Sequence, residues 1–400
     1  MTASTTTTES TEVPNMIFDG KAELWRDGGL EPLRLRNRTM RSATWEGLAD
    51  AEGRMTPALA EAMAALARGG VGLVTFSHTT VAPEGQASPR QLGIYTDAQA
   101  ASLRPAVAAV HAAGALCSLQ LSHGGRLALP TPAGAVGPSD VPLATATGVP
   151  LRACRAATAA DLDAIVAAFA AGAARAARAG FDCVTVHAAH GYLLSEFLSP
   201  LFNCRTDAYG GALENRARLL RRVVAACRAA LGPAVPVLVK LNTEDFAAGG
   251  LAVAESAQVA CWLAADGAAL VEASGGSPVG RCSGIRTGAA ATPAYHAAAA
   301  RAWRDALHAA GLGRCRVALV GGLRGADACS RLVADGVCDI VALSRPLIRE
   351  PDLVLRWQAD PHYVAKCISC SACHAAIKKD QGYFCPVARS QTKKDGEKDS

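Results

Sequence analysis

The sequence predicts an α/β protein, a (β/α)8 TIM barrel followed by a short cysteine-containing extension. The chain has 400 residues, of which half are apolar and 19% are charged, and this suits one large globular barrel. Its middle repeats one pattern: a short apolar run, a polar or glycine-rich turn and a long alanine-rich helix. Eight such runs would close a barrel, and no Gly-x-Gly-x-x-Gly follows the first of them. These observations favour the barrel over a doubly wound open sheet, which is the alternative architecture.

The predicted strands are nearly continuous apolar runs, as expected for a parallel sheet that is covered on both faces. In chain order they are Arg38–Ser42, Val71–Thr75, Leu116–Leu121, Cys183–Val186, Val235–Leu241, Ala269–Val271, Val317–Val320 and Ile340–Leu343. The segments between them are rich in alanine, leucine and arginine, which favour helix. The predicted helices include Pro57–Ala67, Ala98–Ala113, Ala159–Ala179, Arg216–Leu231, Ala252–Ala265, Ala294–Ala310 and Ala326–Ala334.

The two ends of the chain differ in composition from the predicted barrel, which occupies residues 17–362. Residues 1–16 are rich in threonine and residues 389–400 in lysine and aspartate, so both are predicted to be disordered tails. The first fifteen residues contain no basic side chain and no apolar run, so a signal peptide is not expected. Residues 363–388 contain four of the fourteen cysteines and form a predicted cysteine-rich extension.

Charge and cysteine usage limit the classes of partner. A net charge of +5, spread along the chain, is too small to indicate nucleic acid or a membrane surface as a partner. No run of ~18 apolar residues occurs, so no membrane-spanning helix is expected. Because most cysteines are scattered singly, a reducing compartment and hence a cytoplasmic location are predicted. Whether the protein forms a homo-oligomer stays open.

Polar residues and glycines follow most of the predicted strands, where (β/α)8 barrels carry their function. Such a lining indicates a site for one polar ligand. The candidate residues, in chain order, are Ser42, Ala43, Thr44, Trp45, His78, Gln120, His187, His190, Tyr192, Lys240, Gly322, Ser344 and Arg345.

A phosphate site is predicted at the last two strand ends. The pair Gly321-Gly322 allows backbone N–H groups to approach a ligand closely, and Arg345 adds a charge at the start of a helix. The alternative is an ordinary strand-to-helix turn with a solvated arginine. The last two strands of such barrels commonly hold phosphate, which favours the first interpretation.

Gln120 and Lys240 would face the barrel mouth from the third and fifth strands. An amide and a fixed positive charge suit a ligand with an amide-like edge and an oxygen that becomes anionic, such as an isoalloxazine ring. A lysine at a strand end can also form a Schiff base, so that chemistry stays open for Lys240. A purely structural lysine inside the barrel would need a charge partner.

The segment from His187 to Tyr192 carries the most specific constellation. His187 and His190 are spaced so that both imidazoles can donate to one oxygen, and Tyr192 adds a phenol in the same loop. A metal site made of both histidines and Glu196 lacks a further ligand at a convincing spacing. Structural histidines of a core are the remaining alternative.

The stretch GFDCVTVHAAHGYLLSEFLSPLFNCRTDAYGGALENRARL resembles the signature of the Old Yellow Enzyme family, the NADH:flavin oxidoreductases. The stretches LRNRTMRSATWEG, SLQLSHGGR and VALSRPLIREPDL are similar to the same family. The resemblance implies that FMN binds non-covalently at the mouth of the barrel at 17–362, with NADH or NADPH as the hydride donor. It also implies that an activated C=C bond of an enone, enal or enoate is reduced.

The resemblance implies a role for each candidate residue. His187 and His190 would bind the substrate carbonyl, and Tyr192 would donate a proton to the α-carbon. Trp45 and Lys240 depart from many relatives, which have Thr or Cys at the first position and Arg at the second. The residues implied to bind FMN are Ser42, Ala43, Thr44, Trp45 and His78 along the ring, Gln120 at the pyrimidine edge, Lys240 at the N1/O2 side, and Gly322, Ser344 and Arg345 at the phosphate.

The cysteines of the extension, Cys367, Cys370, Cys373 and Cys385, resemble the iron–sulfur motif that follows the barrel in larger relatives. A [4Fe–4S] cluster, a zinc site and no metal all stay open as interpretations. A cluster there would pass single electrons to the flavin from an external electron carrier. Two rival functions also stay open: a Schiff-base lyase that uses Lys240, and a non-enzymatic flavin-binding electron carrier.

Overall fold

Eight parallel strands close into a barrel in the computed structural model of the protein, which describes residues 23–132, 134–280 and 292–396. The predicted (β/α)8 fold is therefore confirmed. Neighbouring strands in the chain pair with each other, and the first strand closes the circle against the last, with Thr39 opposite Val341. The strands are β1 (Thr39–Arg41), β2 (Leu73–Thr80), β3 (Leu116–Ser122), β4 (Cys183–Ala188), β5 (Val237–Asn242), β6 (Leu270–Ser274), β7 (Arg316–Val320) and β8 (Ile340–Leu343).

Helices connect the strands and cover the outside of the barrel. Thr56, Thr96 and Thr158 begin three of them, because each side-chain oxygen accepts a hydrogen bond from a backbone N–H of the first turn. The helices are α1 (Pro57–Arg68), α2 (Asp97–Ala112), α3 (Ala159–Ala179), α4 (Leu193–Leu198), α5 (Leu213–Leu231), α6 (Val253–Ala265), α7 (Ala297–Ala309), α8 (Ala326–Ala334), α9 (Arg345–Arg349), α10 (Leu353–Ala359), α11 (Ala372–Lys378) and α12 (Pro386–Gly396). Two short strands, Val136–Gly137 and Arg155–Ala156, pair with each other in the connection between β3 and α3.

The core has an inner and an outer layer because strand side chains alternate between the two faces of the barrel. The outer layer packs the strands against the helices and includes the fully buried Trp303 and Trp357. The inner layer is made of apolar side chains, namely Leu30, Leu35, Met40, Leu73, Cys183, Leu238, Leu270, Ala318, Ile340 and Ala342. Polar side chains replace these apolar ones toward the carboxyl ends of the strands, so a ligand site is expected at that end.

Five strands run further than the apolar pattern predicted, and two of them, β2 and β6, do so by three residues or more. β2 was expected to end at Thr75 and continues to Thr80, whereas β6 was expected to end at Val271 and continues to Ser274. Every residue of both strands is buried, including the polar ones. The pattern ended early because the carboxyl ends of these strands carry polar side chains that make internal hydrogen bonds, such as those of Thr79, Thr80 and Glu272.

The predicted disordered tail at 389–400 is wrong for residues 389–396, which belong to α12. This helix is held to the barrel by a 2.6 Å hydrogen bond from Arg349 Nη2 to Gln391 Oε1. Arg389 also lies over the ring of Phe384, 5.1 Å from its centroid. The predicted tail at 1–16 and the last four residues, 397–400, lie outside the described residues. In the described part of the chain, no helix combines the length and apolar character that crossing a membrane requires.

Candidate active site

A cavity of about 300 Å³ lies at the carboxyl ends of the strands. This is the end at which (β/α)8 barrels bind their ligands. The predicted residues that line the cavity are Ser42, Ala43, His190, Lys240, Gly322, Ser344 and Arg345. The other predicted residues of the barrel, which lie outside this lining, are Thr44, Trp45, His78, Gln120, His187 and Tyr192.

A buried ion pair borders the cavity. Lys240 Nζ lies 3.0 Å from Glu272 Oε1, and the two side chains are only 3% and 1% exposed. Ser42 Oγ joins them, because it donates to Glu272 Oε1 at 2.6 Å and accepts from Lys240 Nζ at 2.6 Å. Lys240 and Glu272 stand opposite each other in the register of β5 and β6. On sequence grounds, a purely structural lysine inside the barrel would need a charge partner, but Glu272 was not identified as that partner. An acidic residue inside an apolar run was a usable signal for it.

Two buried polar atoms close to this end of the barrel have unused hydrogen-bonding capacity. Within the described residues, neither Gln120 Nε2 nor His187 Nδ1 has a hydrogen-bond partner, and both side chains are almost fully buried. An unpaired buried group costs about 1–3 kcal/mol, so a bound ligand is the expected partner. The pyrimidine edge of FMN offers acceptors to the Gln120 amide, and the residues of this mouth therefore fit that cofactor.

His78, His187, His190 and Tyr192 form a cluster of rings. The ring centroids are 4.7 Å apart for His187 and Tyr192, 5.2 Å for His187 and His190, and 5.4 Å for His78 and Tyr192. His190 has a positive φ of +66°. This left-handed conformation turns the chain away from the end of β4. Ser274 Oγ lies 2.7 Å from His190 Nε2 and holds the ring. The structure thus brings together the three residues that the sequence predicted as catalytic.

Burial fixes the protonation states in this ring cluster. It lowers the pKa of His190 to about 3 and the pKa of His78 to about 4, and the positive charge of Lys240 adds to both shifts. It also lowers the pKa of His187 well below its usual range, with a further contribution from His190. Burial raises the pKa of the Tyr192 phenol to about 12. At neutral pH the imidazoles are therefore neutral and the phenol keeps its proton.

The predicted phosphate end is built around two glycines with positive φ. Gly321 has φ +114° and Gly322 has φ +70°, and a Cβ on Gly322 would collide with the carbonyl oxygen of Thr292. Arg345 begins α9 directly beside this turn and lines the same cavity. A glycine turn at a helix start with an adjacent guanidinium is suited to a phosphate group.

Two residues of this end were missed by the sequence analysis. Arg324, which follows the glycine pair, donates from Nη2 to Ser369 Oγ at 2.7 Å. Ser369 belongs to the cysteine extension and lines the cavity together with Arg345. No local pattern could have identified Ser369, because only the tertiary fold brings it from residue 369 to the end of β7.

The extension also covers the segment that follows β1. The Trp45 ring meets the ring of His374 edge-on, with centroids 6.1 Å apart. Arg41 and Glu46 form a 2.7 Å ion pair with exposures of 0% and 1%, and Arg41 Nη2 donates to the Tyr383 hydroxyl at 3.2 Å. The predicted contact of Trp45 with the flavin stays a prediction, and its observed partner is the extension.

All four cysteines of the extension line one small cavity of about 10 Å³. Among the described residues, one group of three metal-binding donor atoms was found in which all lie within 4.8 Å of one another. It consists of His111, Cys117 and Asp182, which lie outside the extension. A tetrahedral zinc site needs sulfur atoms roughly 3.8 Å apart, from a Zn–S bond of ~2.3 Å. The four cysteines therefore share one cavity, and no three of their sulfur atoms all lie within 4.8 Å of one another.

A barrel mouth with these features places the protein in the class of flavin-dependent oxidoreductases. The sequence model of the NADH:flavin oxidoreductase / NADH oxidase family matches residues 29–361, and the chain belongs to this family, as its resemblance to Old Yellow Enzyme predicted. The protein is accordingly an FMN-dependent oxidoreductase that uses NADH or NADPH.

Known relatives cover most of the chain. It is 32% identical over 380 residues to 4,4'-dithiodibutanoate disulfide reductase of Rhodococcus erythropolis, spanning 87% of this chain and 91% of that one. It is 33% identical to the NADPH dehydrogenase of Halalkalibacterium halodurans over 71% of this chain and 78% of that one.

Solved structures agree with this assignment. Morphinone reductase superposes with a TM-score of 0.71 at 28% identity, covering 86% of this chain and 91% of that one. A 2-naphthoyl-CoA reductase complex superposes with a TM-score of 0.83 at 25% identity, over 91% of this chain. The chain spans only 56% of the length of that reductase.

Proposed function

We propose that the protein reduces the C=C bond of an enone, enal or enoate, with NADH or NADPH as the source of the hydride. The observation that carries this proposal is the buried ring cluster of His187, His190 and Tyr192, whose groups are neutral hydrogen-bond donors at neutral pH. Bound FMN would accept the hydride from the nicotinamide and pass it on to the alkene.

The binding of the cofactor would be divided among three groups of residues. The Gln120 amide would meet the pyrimidine edge, and the Lys240 ammonium would face the N1/O2 side with its charge balanced by Glu272. The glycine turn and Arg345 would hold the phosphate. The residues proposed to touch FMN are Ser42, Ala43, Thr44, Trp45, His78, Gln120, Lys240, Gly322, Ser344 and Arg345.

The substrate carbonyl would be bound by the two imidazoles. His187 Nδ1 is a buried atom for which the described chain offers no partner, and a carbonyl oxygen would supply one. Ser274 occupies Nε2 of His190 and so determines which nitrogen of that ring remains for the substrate. Hydrogen bonds to the carbonyl oxygen withdraw electron density from the conjugated C=C bond and favour hydride addition at the β-carbon.

Tyr192 would complete the reaction by donating a proton to the α-carbon. Its pKa near 12 means that the phenol is protonated over the whole physiological range. A positioned general acid contributes ~10²–10⁴ in rate. Replacement Tyr192→Phe should therefore slow alkene reduction by that factor while leaving flavin reduction by the nicotinamide nearly unchanged.

The test is the reaction of the holoenzyme with NADPH or NADH and 2-cyclohexenone, with the saturated ketone measured as product. Failure to form the ketone while the flavin is still reduced would refute the substrate assignment. 4,4'-Dithiodibutanoate is a useful second substrate, because the Rhodococcus relative is described as its reductase. A colourless protein that is trapped covalently by borohydride and a carbonyl compound would support the Schiff-base rival instead, although Lys240 is engaged by Glu272.

For the extension we propose a [4Fe–4S] cluster on Cys367, Cys370, Cys373 and Cys385. Their arrangement around one cavity and their resemblance to the iron–sulfur motif of larger relatives support a shared metal centre. Such a centre would receive single electrons from an external carrier.

A further inference from the structure

The extension reaches the phosphate end of the cavity through one residue. Ser369 is 8% exposed and receives hydrogen bonds from two guanidinium groups of the barrel. Arg324 Nη2 donates to its hydroxyl oxygen at 2.7 Å, and Arg345 Nη1 donates to its carbonyl oxygen at 2.9 Å. These arginines follow β7 and β8, the two strands whose ends form the glycine turn site. One serine thus contacts both cations.

The segment that carries Ser369 is itself held in a defined shape. Ser369 has φ +56° and Ser371 has φ +62°, conformations that non-glycine residues seldom adopt without support. The support comes from the barrel, since Ala365 N donates to the Arg324 carbonyl at 2.8 Å and Arg345 also donates to Ser371 Oγ at 3.0 Å. The extension is therefore docked onto the loop after β7.

The charge at this site is unbalanced within the described residues. Neither Arg324 nor Arg345 has an ion pair with a carboxylate in that part of the chain, and their acceptors there are serine oxygens. Arg324 Nε is buried and has no hydrogen-bond partner in the described ranges. Two guanidinium groups beside a glycine turn attract a doubly charged anion, and a phosphate monoester has that charge and enough acceptor oxygens.

We propose that the cysteine extension completes the phosphate site of FMN: Arg324 is a second phosphate-binding cation, and Ser369 is the residue that positions Arg324 and Arg345. This inference rests on the proposed placement of FMN at the barrel mouth. It gives the extension a role in holding the cofactor, separate from any electron transfer through its cysteines.

The test compares FMN with riboflavin, which has the same ring but no phosphate. The full-length protein is stripped of flavin, shown to rebind FMN, and titrated with each ligand by flavin fluorescence. Replacement Arg324→Gln should raise the Kd of FMN roughly 10- to 100-fold, because one charge-assisted contact is lost. Replacement Ser369→Gly keeps the carbonyl and tolerates positive φ, and it should raise that Kd roughly tenfold. Neither change should alter the Kd of riboflavin more than about twofold, within the usual effect of a distant site.

Ser390→Ala is the matched control. Ser390 lies in α12, just after the extension, and its hydroxyl donates only locally, to the Val387 carbonyl. This variant should bind both flavins as the unmodified protein does. An unchanged Kd of FMN in Arg324→Gln and Ser369→Gly would overturn the proposal, as would an equal loss of FMN and riboflavin affinity. An unmodified protein that binds neither flavin would instead refute the proposed function itself.

Discussion

Replacing Glu272 by glutamine should destabilise the barrel strongly, because it leaves the Lys240 charge buried without a counter-charge. Glutamine has nearly the same size and shape as glutamate, so the Glu272→Gln perturbation is electrostatic. Glu272 Oε1 accepts from both Lys240 Nζ and Ser42 Oγ, and both charged side chains are at most 3% exposed. Removing one partner of such a buried pair costs about 3–5 kcal/mol.

Urea denaturation at neutral pH measures this loss in the free energy of unfolding. The circular dichroism of the helices reports the unfolded fraction. The measurement is made with and without excess FMN, because ligand binding adds to the stability of the folded state. Glu52→Gln is the control, since Glu52 pairs with Arg54 on the surface with 64% and 47% exposure, and such pairs contribute ~0–1 kcal/mol. A loss for Glu272→Gln that is no larger than for Glu52→Gln would refute the reasoning.

Three further outcomes follow from the site. His187→Ala and His190→Ala should each weaken the binding of phenols about 10-fold or more, measured by the charge-transfer absorbance of the flavin, while FMN stays bound. Because the pKa values of His78 and His190 are depressed to about 4 and 3, the folded state resists protonating them. Their contribution to the free energy of unfolding is complete above pH ~6.5 and falls as the pH drops toward 4, which urea titrations at several pH values would detect. Protein purified without oxygen should contain roughly four iron and four acid-labile sulfide per chain, and full FMN with neither would exclude the cluster.

The barrel could be predicted from the sequence because its strands are apolar runs that only a covered parallel sheet explains. Their carboxyl ends were predicted less well, since Ser274 and Thr80 are polar although they are buried in the structure. There the tertiary environment, rather than hydrophobicity, decides that a residue belongs to a strand. The composition of residues 389–396 was similarly misleading, because the α12 helix gains contacts to Arg349 and Phe384 that the charge pattern did not reveal.

The residues of the site were likewise predictable where the signal lies in the local sequence, and not where it depends on the tertiary fold. Lys240, the histidine pair and the glycine turn were predicted because each lies at the carboxyl end of a strand or directly after it. Glu272 could have been found as the charge partner that a buried lysine requires, in the strand beside it. Ser369 could not, because its contact with Arg324 joins positions 45 residues apart through the docking of the extension.

The contacts of the extension argue that it is a structural part of the active site. The Tyr383 hydroxyl accepts from Arg41, the last residue of β1, which forms a fully buried pair with Glu46. Ser369 accepts hydrogen bonds from both arginines that follow β7 and β8, and β8 is the strand that pairs with β1. A segment added only to carry electrons would need proximity to the cofactor, but it would not need to accept hydrogen bonds from three guanidinium groups of the barrel. Because a buried charge needs hydrogen-bond partners, the Tyr383 contact stabilises Arg41, and the half-buried Arg324 and Arg345 anchor the extension, with its cysteines, at the mouth.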